Sequence, residues 1–327
     1  MDSLIFALNA VLPIVLIVAL GYLLKRIRFC GDGFPKTLNK LVFRVLLPAM
    51  LFLNVYKIES FEGIGLGYIG FVAVGTLALF ALSLPVVMLV TKKRAERGVL
   101  WQGVFRSNYA LVGIPLATSL YGEMGSIVAS VLSAVYVPLL NMLAVICLTV
   151  FGSGEERVSA KKILVGIVKN PLIQAIALGG AVLGVRVLFV RWGIHFRLAD
   201  VKPVYSMLEQ IGRTATPMAL LALGAQFEFS AVSSLKKQII FATVARTVAV
   251  PAVALSIAYA LGCFNGAHFA AFVAVFGTPI SISSVPMAQE MGADAKLAGQ
   301  LVVWTTVVSG FTIFLISFVL KAVGVFA

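Results

Sequence analysis

Charge is scarce in this sequence, and acid scarcer still: of 327 residues only 12% are Asp, Glu, Lys or Arg, with 13 acidic against 26 basic side chains. Soluble domains carry about twice that share of charge, so little of the chain is free to form one. Cysteine and histidine are nearly absent. Cys30, Cys147 and Cys263 have neither disulfide nor metal spacing and read as free thiols, and His195 and His268 stand singly. No metal and no cofactor are expected. No nucleophile and base, and no paired aspartates, fall together in an apolar segment, which argues against an intramembrane enzyme. The same lack of deep carboxylates argues against a sodium/proton antiporter.

What is abundant is grease. Hydrophobic residues make up 61% of the chain and the mean hydropathy is +1.05, the composition of an all-α polytopic membrane protein. With about 20 apolar residues needed per crossing, ten candidate spans are visible: 3–24, 37–56, 66–91, 101–122, 124–151, 163–187, 203–224, 237–261, 268–292 and 296–320. Only Asp2 and Ser3 precede the first, so it reads as a retained helix, not a cleaved signal. A net charge of +13 could point to nucleic acid, but the positive-inside rule explains it without one. Placing both termini outside the cell's inner membrane puts the clusters Lys25/Arg26/Arg28, Lys92/Lys93/Arg94/Arg97 and Lys161/Lys162 in the cytoplasm. The basic 186–202 loop is the exception.

The chain is internally duplicated. Pro13 and Gly21 enclose seven residues in the first span, as Pro171 and Gly179 do in the sixth. Arg44 precedes Pro48 by four residues in the second span, and Arg213 precedes Pro217 by four in the seventh. The fourth and ninth spans end in the related strings SLYGEMG and QEMGADA. Five spans per half makes the repeats inverted, an architecture common among secondary transporters. The expected organisation is a first repeat over 1–151, a cytoplasmic hinge over 152–162 and a second repeat over 163–327.

Two spans carry helix breakers near their middles. The fourth contains Asn108, Gly113, Ile114 and Pro115; the ninth contains Thr278, Pro279, Ile280, Ser281, Ser283, Ser284 and Pro286. Proline removes an N–H and clashes with the preceding turn, and hydrocarbon cannot satisfy the freed backbone, so such segments line a polar cavity or lie inside protein. Helix breaks are expected at Gly113, Pro115, Pro279 and Pro286. Inverted repeats would aim the following half-helix N-termini at each other across the midplane, where they favour an anion, with the Asn108 amide beside them. The bland alternative is a pair of packed proline kinks. Candidate substrate contacts are Asn108, Tyr109, Gly113, Ile114, Pro115, Leu116, Pro279, Ile280, Ser281, Ser283 and Ser284. Tyr136 serves either as packing or as pocket wall, and Asn141 either faces the cavity or bonds a neighbouring helix.

At these residues the chain resembles the auxin efflux carrier family, which includes plant carriers and bacterial members linked to malate and malonate. The resemblance rests on Asn108-YALV-Gly113-Ile114-Pro115, on Asn170-Pro171-Leu172-Ile173, on IGRTATPMALLALGAQ at 211–226 and on Pro279 nine residues before Ala288-Gln289-Glu290. It implies ten helices, with spans 1, 2, 6 and 7 as a scaffold and spans 3–5 and 8–10 as a transport domain whose fourth and ninth helices cross. It also implies an elevator-type motion and a substrate carboxylate near Asn108, and a homodimer through the scaffold helices is a candidate assembly. Ser284 stands where plant members have proline in the ninth crossover, and the long cytoplasmic loop of plant members is absent, which argues against auxin itself.

Ionisable side chains within spans are functional suspects. Glu209 precedes Arg213 by one helical turn and reads as a structural ion pair. Arg44 and Arg246 have no acid near them in sequence; each snorkels, caps a half-helix C-terminus or lends charge to the substrate path. Arg106, five residues after an interfacial Trp101, is expected to snorkel to the cytoplasm. The leading expectation is a secondary carrier of a small organic anion embedded in the lipid bilayer. A sodium-coupled carrier of amphipathic anions, like bile-acid symporters, and a receptor that binds without transport are the alternatives.

Overall fold

In the computed structural model of the chain, residues 2–29, 31–58, 65–152 and 160–326 are described, and their elements are helical throughout. In order they are α1 (Asp2–Arg26), α2 (Phe34–Leu41), α3 (Leu47–Tyr56), α4 (Leu66–Val90), α5 (Arg94–Phe105), α6 (Ile114–Gly152), α7 (Ala160–Val168) and α8 (Pro171–Arg191). There follow α9 (Lys202–Gln226), α10 (Ala231–Ser234), α11 (Lys236–Val244), α12 (Val250–Leu261), α13 (Gly266–Phe272), α14 (Ser284–Glu290) and α15 (Ala295–Ala322). Of the expected hinge, residues 153–159 lie outside the described ones, as does Cys30.

Six helical runs among the described residues are long and apolar enough to cross a membrane: Phe34–Tyr56, Leu66–Val90, Tyr109–Gly152, Pro171–Arg191, Lys236–Leu261 and Ala295–Ala322. Tyr109–Gly152, at 44 residues, is about twice the length one crossing needs. It is divided at Tyr121 and Gly122, where φ turns positive (+59°). The distribution of polarity is that of a membrane protein. Leu82, Leu89, Val253, Phe311 and Phe318 are exposed, whereas Glu96, Gln102, Arg106, Arg246 and Gln300 are buried. An apolar rim this extensive needs lipid to cover it, so the chain is a multi-pass membrane protein.

Proline shapes the helices in a way the sequence reading did not foresee. Segments with the wider π-helical turn occupy Val42–Leu46, Tyr109–Gly113, Ala245–Ala249 and Val273–Gly277. Each ends two residues before a proline: Pro48, Pro115, Pro251 and Pro279. A proline ring collides with the carbonyl one turn earlier and donates nothing to it; widening that turn to i→i+5 bonding absorbs the misfit. Gly113 and Pro115 are therefore helical rather than the site of a break. The backbone instead leaves the helix upstream, from Arg106 (φ −82°, ψ 111°) to Asn108 (φ −84°, ψ 55°), and resumes at Tyr109. Pro279 does lie in non-helical chain, between Gly277 and Ser284. Pro286 sits in the first turn of α14, where a missing N–H leaves no bond unmade.

Two groups of helices pack side by side. In one, α1 lies on α9, and α3 on α8 and α9; in the other, α6 lies on α5 and α13, and α15 on α11 and α14. The α1–α9 seam is backbone against backbone. A Cβ on Gly224 would come within 2.0 Å of the Val18 carbonyl oxygen, and one on Gly21 within 2.3 Å of that of Leu221. Close approach of this kind is how helices adhere in lipid, where no hydrophobic force draws them together. Gly224→Leu is expected to destabilise the detergent-solubilised protein by about 1–3 kcal/mol through overpacking. Gly70→Ala, with nothing within 4 Å, should leave the melting temperature unchanged, and equal effects would show that the seam is not tight.

Candidate functional site

Where α5 stops and where the Val273–Gly277 turn stops, two short non-helical segments lie antiparallel. Ser107 bridges Ile280, and the Asn108 N–H donates to the Pro279 carbonyl at 2.8 Å. The Ile280 N–H donates to Thr305 Oγ1 at 3.1 Å. Carbonyls left over at the helix ends have a dedicated donor. Arg246, fully buried, gives Nε to Thr278 O at 2.8 Å and Nη2 to Val275 O at 2.5 Å. Its Nη1 reaches Phe105 O at 3.2 Å and Val104 O at 3.4 Å. One guanidinium thus caps the C-terminal ends of both interrupted helices, where the backbone dipoles also favour a cation. Of the roles open to Arg246, this is the one it has.

A cavity of about 720 Å³ opens between these segments and the α1–α3–α9 group, within the range of small-molecule sites. Asn108, Tyr109, Pro115, Asn141, Ser281 and Ser283 line it. Other expected contacts stand back from the wall. Tyr136 shares a hydrogen bond with Ser107 at 3.0 Å and meets Tyr109 edge to face, so it is packing behind the wall. Gly113 brings its turn against the neighbouring one, a Cβ there falling 3.0 Å from Ala274 O. Ile114, Leu116, Pro279, Ile280 and Ser284 do not line the cavity; Leu116 and Ile280 are core.

The residue that the sequence reading misplaced is Arg106. It is 1% exposed and lies on the cavity wall. Nη1 donates to Gln102 Oε1 at 2.8 Å; Nη2 donates to Asn141 Oδ1 at 2.9 Å and to Ser283 Oγ at 2.7 Å. Snorkelling to the cytoplasm is excluded by geometry. Helix α5 begins at Arg94, not near Trp101, and its 12 residues set Arg106 about 18 Å from the helix start. Trp101 is itself buried, donating to Phe80 O at 2.7 Å. Among the described residues no carboxylate lies within 4 Å of the Arg106 guanidinium. Two residues along the chain, Asn108 Nδ2 is buried without a hydrogen-bond partner. Asn141 both faces the cavity and holds Arg106, so its two alternatives are one.

Glu209 is the acidic side chain on the wall, and it is taken. Lys57 Nζ lies 2.6 Å from its Oε1 and Arg213 Nη2 lies 3.5 Å from the same oxygen. The Glu209–Arg213 pair follows from their spacing; Lys57, 152 residues away in sequence, does not. Arg44 also has an acid that local sequence could not reveal, its Nε being 3.5 Å from Glu290 Oε2.

A family profile described as "Membrane transport protein" matches residues 6–317. The chain belongs to this family, the auxin efflux carriers. An uncharacterized transporter from Methanothermobacter thermautotrophicus is 22% identical over 305 residues, covering 92% of this chain and 94% of that protein. The integrity of the paired segments depends on Arg246, whose guanidinium satisfies the carbonyls at both helix ends. Arg246→Gln strands carbonyls worth about 1–3 kcal/mol each, so a large drop in melting temperature in detergent is expected. Arg44→Gln, an exposed pair worth about 0–1 kcal/mol, should change it little; the reverse order would contradict the capping role.

Proposed function

We propose that this protein is a secondary carrier for a small organic anion, a carboxylate, which it moves across the cell's inner membrane by alternating access. One observation carries the reading: the wall of a cavity within an apolar helical body includes a residue whose guanidinium has no carboxylate partner and, two residues on, one whose amide N–H has no partner. A buried cation is costly unless something neutralises it. A substrate carboxylate accepts from Arg106 and Asn108 at once, each charge-assisted bond contributing about 1.5–3 kcal/mol. The helix that starts at Tyr109 adds its positive end.

The same reading takes the chain as ten crossings in two inverted five-helix repeats. Its support is the duplicated sequence pattern and a matching duplication in packing. Gly21 of α1 abuts Leu221 of α9, and Gly179 of α8 abuts Phe52 of α3, a Cβ there lying 2.8 Å from Phe52 O. The α1–α3–α8–α9 group then serves as scaffold and the remainder as the moving body, with the cavity at the seam. With both termini outside, the mouth marked by Lys57 and Glu209 faces outward. On the cytoplasmic side the seam is closed by Arg44–Glu290 and by Asn39 Nδ2 donating to Gln289 Oε1 at 2.9 Å. Sodium finds no free carboxylate on this cavity wall, because Glu209 is engaged by two cations.

The test is uptake by purified protein in proteoliposomes across a panel of labelled mono- and dicarboxylates, with and without a sodium gradient. Saturable, sodium-independent entry is expected, with Arg106→Gln and Asn108→Ala each raising the half-saturating concentration about 10- to 100-fold. Unchanged transport of every substrate by both variants would overturn the site, and binding without entry would favour a receptor.

A further inference from the structure

The two buried arginines are compensated differently. Arg246 sits on carbonyls at two helix C-terminal ends, where the backbone supplies negative partial charge. Arg106 donates only to neutral side-chain oxygens, those of Gln102, Asn141 and Ser283, and no carboxylate among the described residues lies within 4 Å of it. While the cavity is open, water can solvate its outer edge. Passage of the site across the membrane requires the cavity to close and shed that water, which makes every uncompensated charge more expensive. Closing around an anion leaves a neutralised pair; closing empty leaves a bare guanidinium in an apolar body.

We infer that the carrier is an exchanger: the anion-loaded site crosses readily, the empty site crosses slowly, and Arg106 is the residue that makes the difference. This rests on the carrier reading above. Arg246 does not enter the comparison, because its charge and its carbonyl caps are the same with the site loaded or empty. In this account Arg106 determines the mode of transport as well as the sign of the cargo. A neutral side chain at this position would bind anions more weakly and at the same time relieve the penalty on the empty return.

The experiment compares entry of labelled succinate, or of labelled benzoate where succinate does not enter, into proteoliposomes loaded with the same unlabelled anion or with none. At saturating external anion, internal anion is expected to raise the initial rate of wild-type entry by about tenfold or more, which corresponds to about 1.4 kcal/mol of barrier. Arg106→Gln is expected to lose most of that ratio, and Arg106→Lys, which keeps the cation, to retain it. Saturable entry with no stimulation by internal anion overturns the exchanger and leaves the carrier standing. Stimulation that persists in Arg106→Gln overturns the assignment to Arg106. If Arg106→Gln does not fold, the wild-type and Arg106→Lys ratios decide. No saturable entry of either anion sinks the carrier reading and this one together.

Discussion

Backbone hydrogen bonds cannot be left open inside an apolar body, and the centre of this molecule is arranged around that constraint. Two helices stop short within it, at Phe105 and Gly277, and each stop frees carbonyls that neither lipid nor a neighbouring aliphatic side chain can satisfy. Arg246 answers for both ends at once, and the Asn108–Pro279 bond ties the segments beyond them into a single antiparallel contact. On one side of these segments lies the cavity.

What remains on that side is donor-rich and acid-poor. Arg106 and Asn108 present N–H groups, Ser281 and Ser283 hydroxyls, and Glu209 is neutralised by its two cations. The contrast between Arg246, which caps backbone carbonyls from a separate helix, and Arg106, which meets only neutral side-chain oxygens, underlies the proposed preference for anions. Under that proposal the preference also has a kinetic consequence, since the cost of the Arg106 cation depends on whether water or cargo is beside it. The chain belongs to a membrane transport family, and the cavity lies at the seam between two helix groups.

Much of the helical layout was legible because apolar run length is a direct readout of helices in lipid; the run 66–91, for instance, is the helix Leu66–Val90. Asn108, Ser281 and Ser283 were legible as well, being polar residues stranded in apolar sequence beside helix breakers. The exact place of the interruption was not. Gly113 and Pro115 look like the break, yet a π-turn absorbs the proline and the chain opens several residues earlier, from Arg106 to Asn108. Arg106 was misread for a related reason: Arg94, Glu96 and Arg97 make the start of α5 look like loop, so Arg106 seemed shallow. The partners of Arg246, Arg44 and Lys57 come from far along the chain, and no local pattern encodes them.

The central claim is that the guanidinium of Arg106 awaits an anion. An experimental structure of the purified protein in lipid, determined with a transported carboxylate bound, tests it most directly. The account predicts the carboxylate within about 3 Å of both Arg106 and Asn108 Nδ2, the distance of charge-assisted hydrogen bonds. A carboxylate bound elsewhere, or Arg106 paired with a protein acid while cargo is bound, would contradict it.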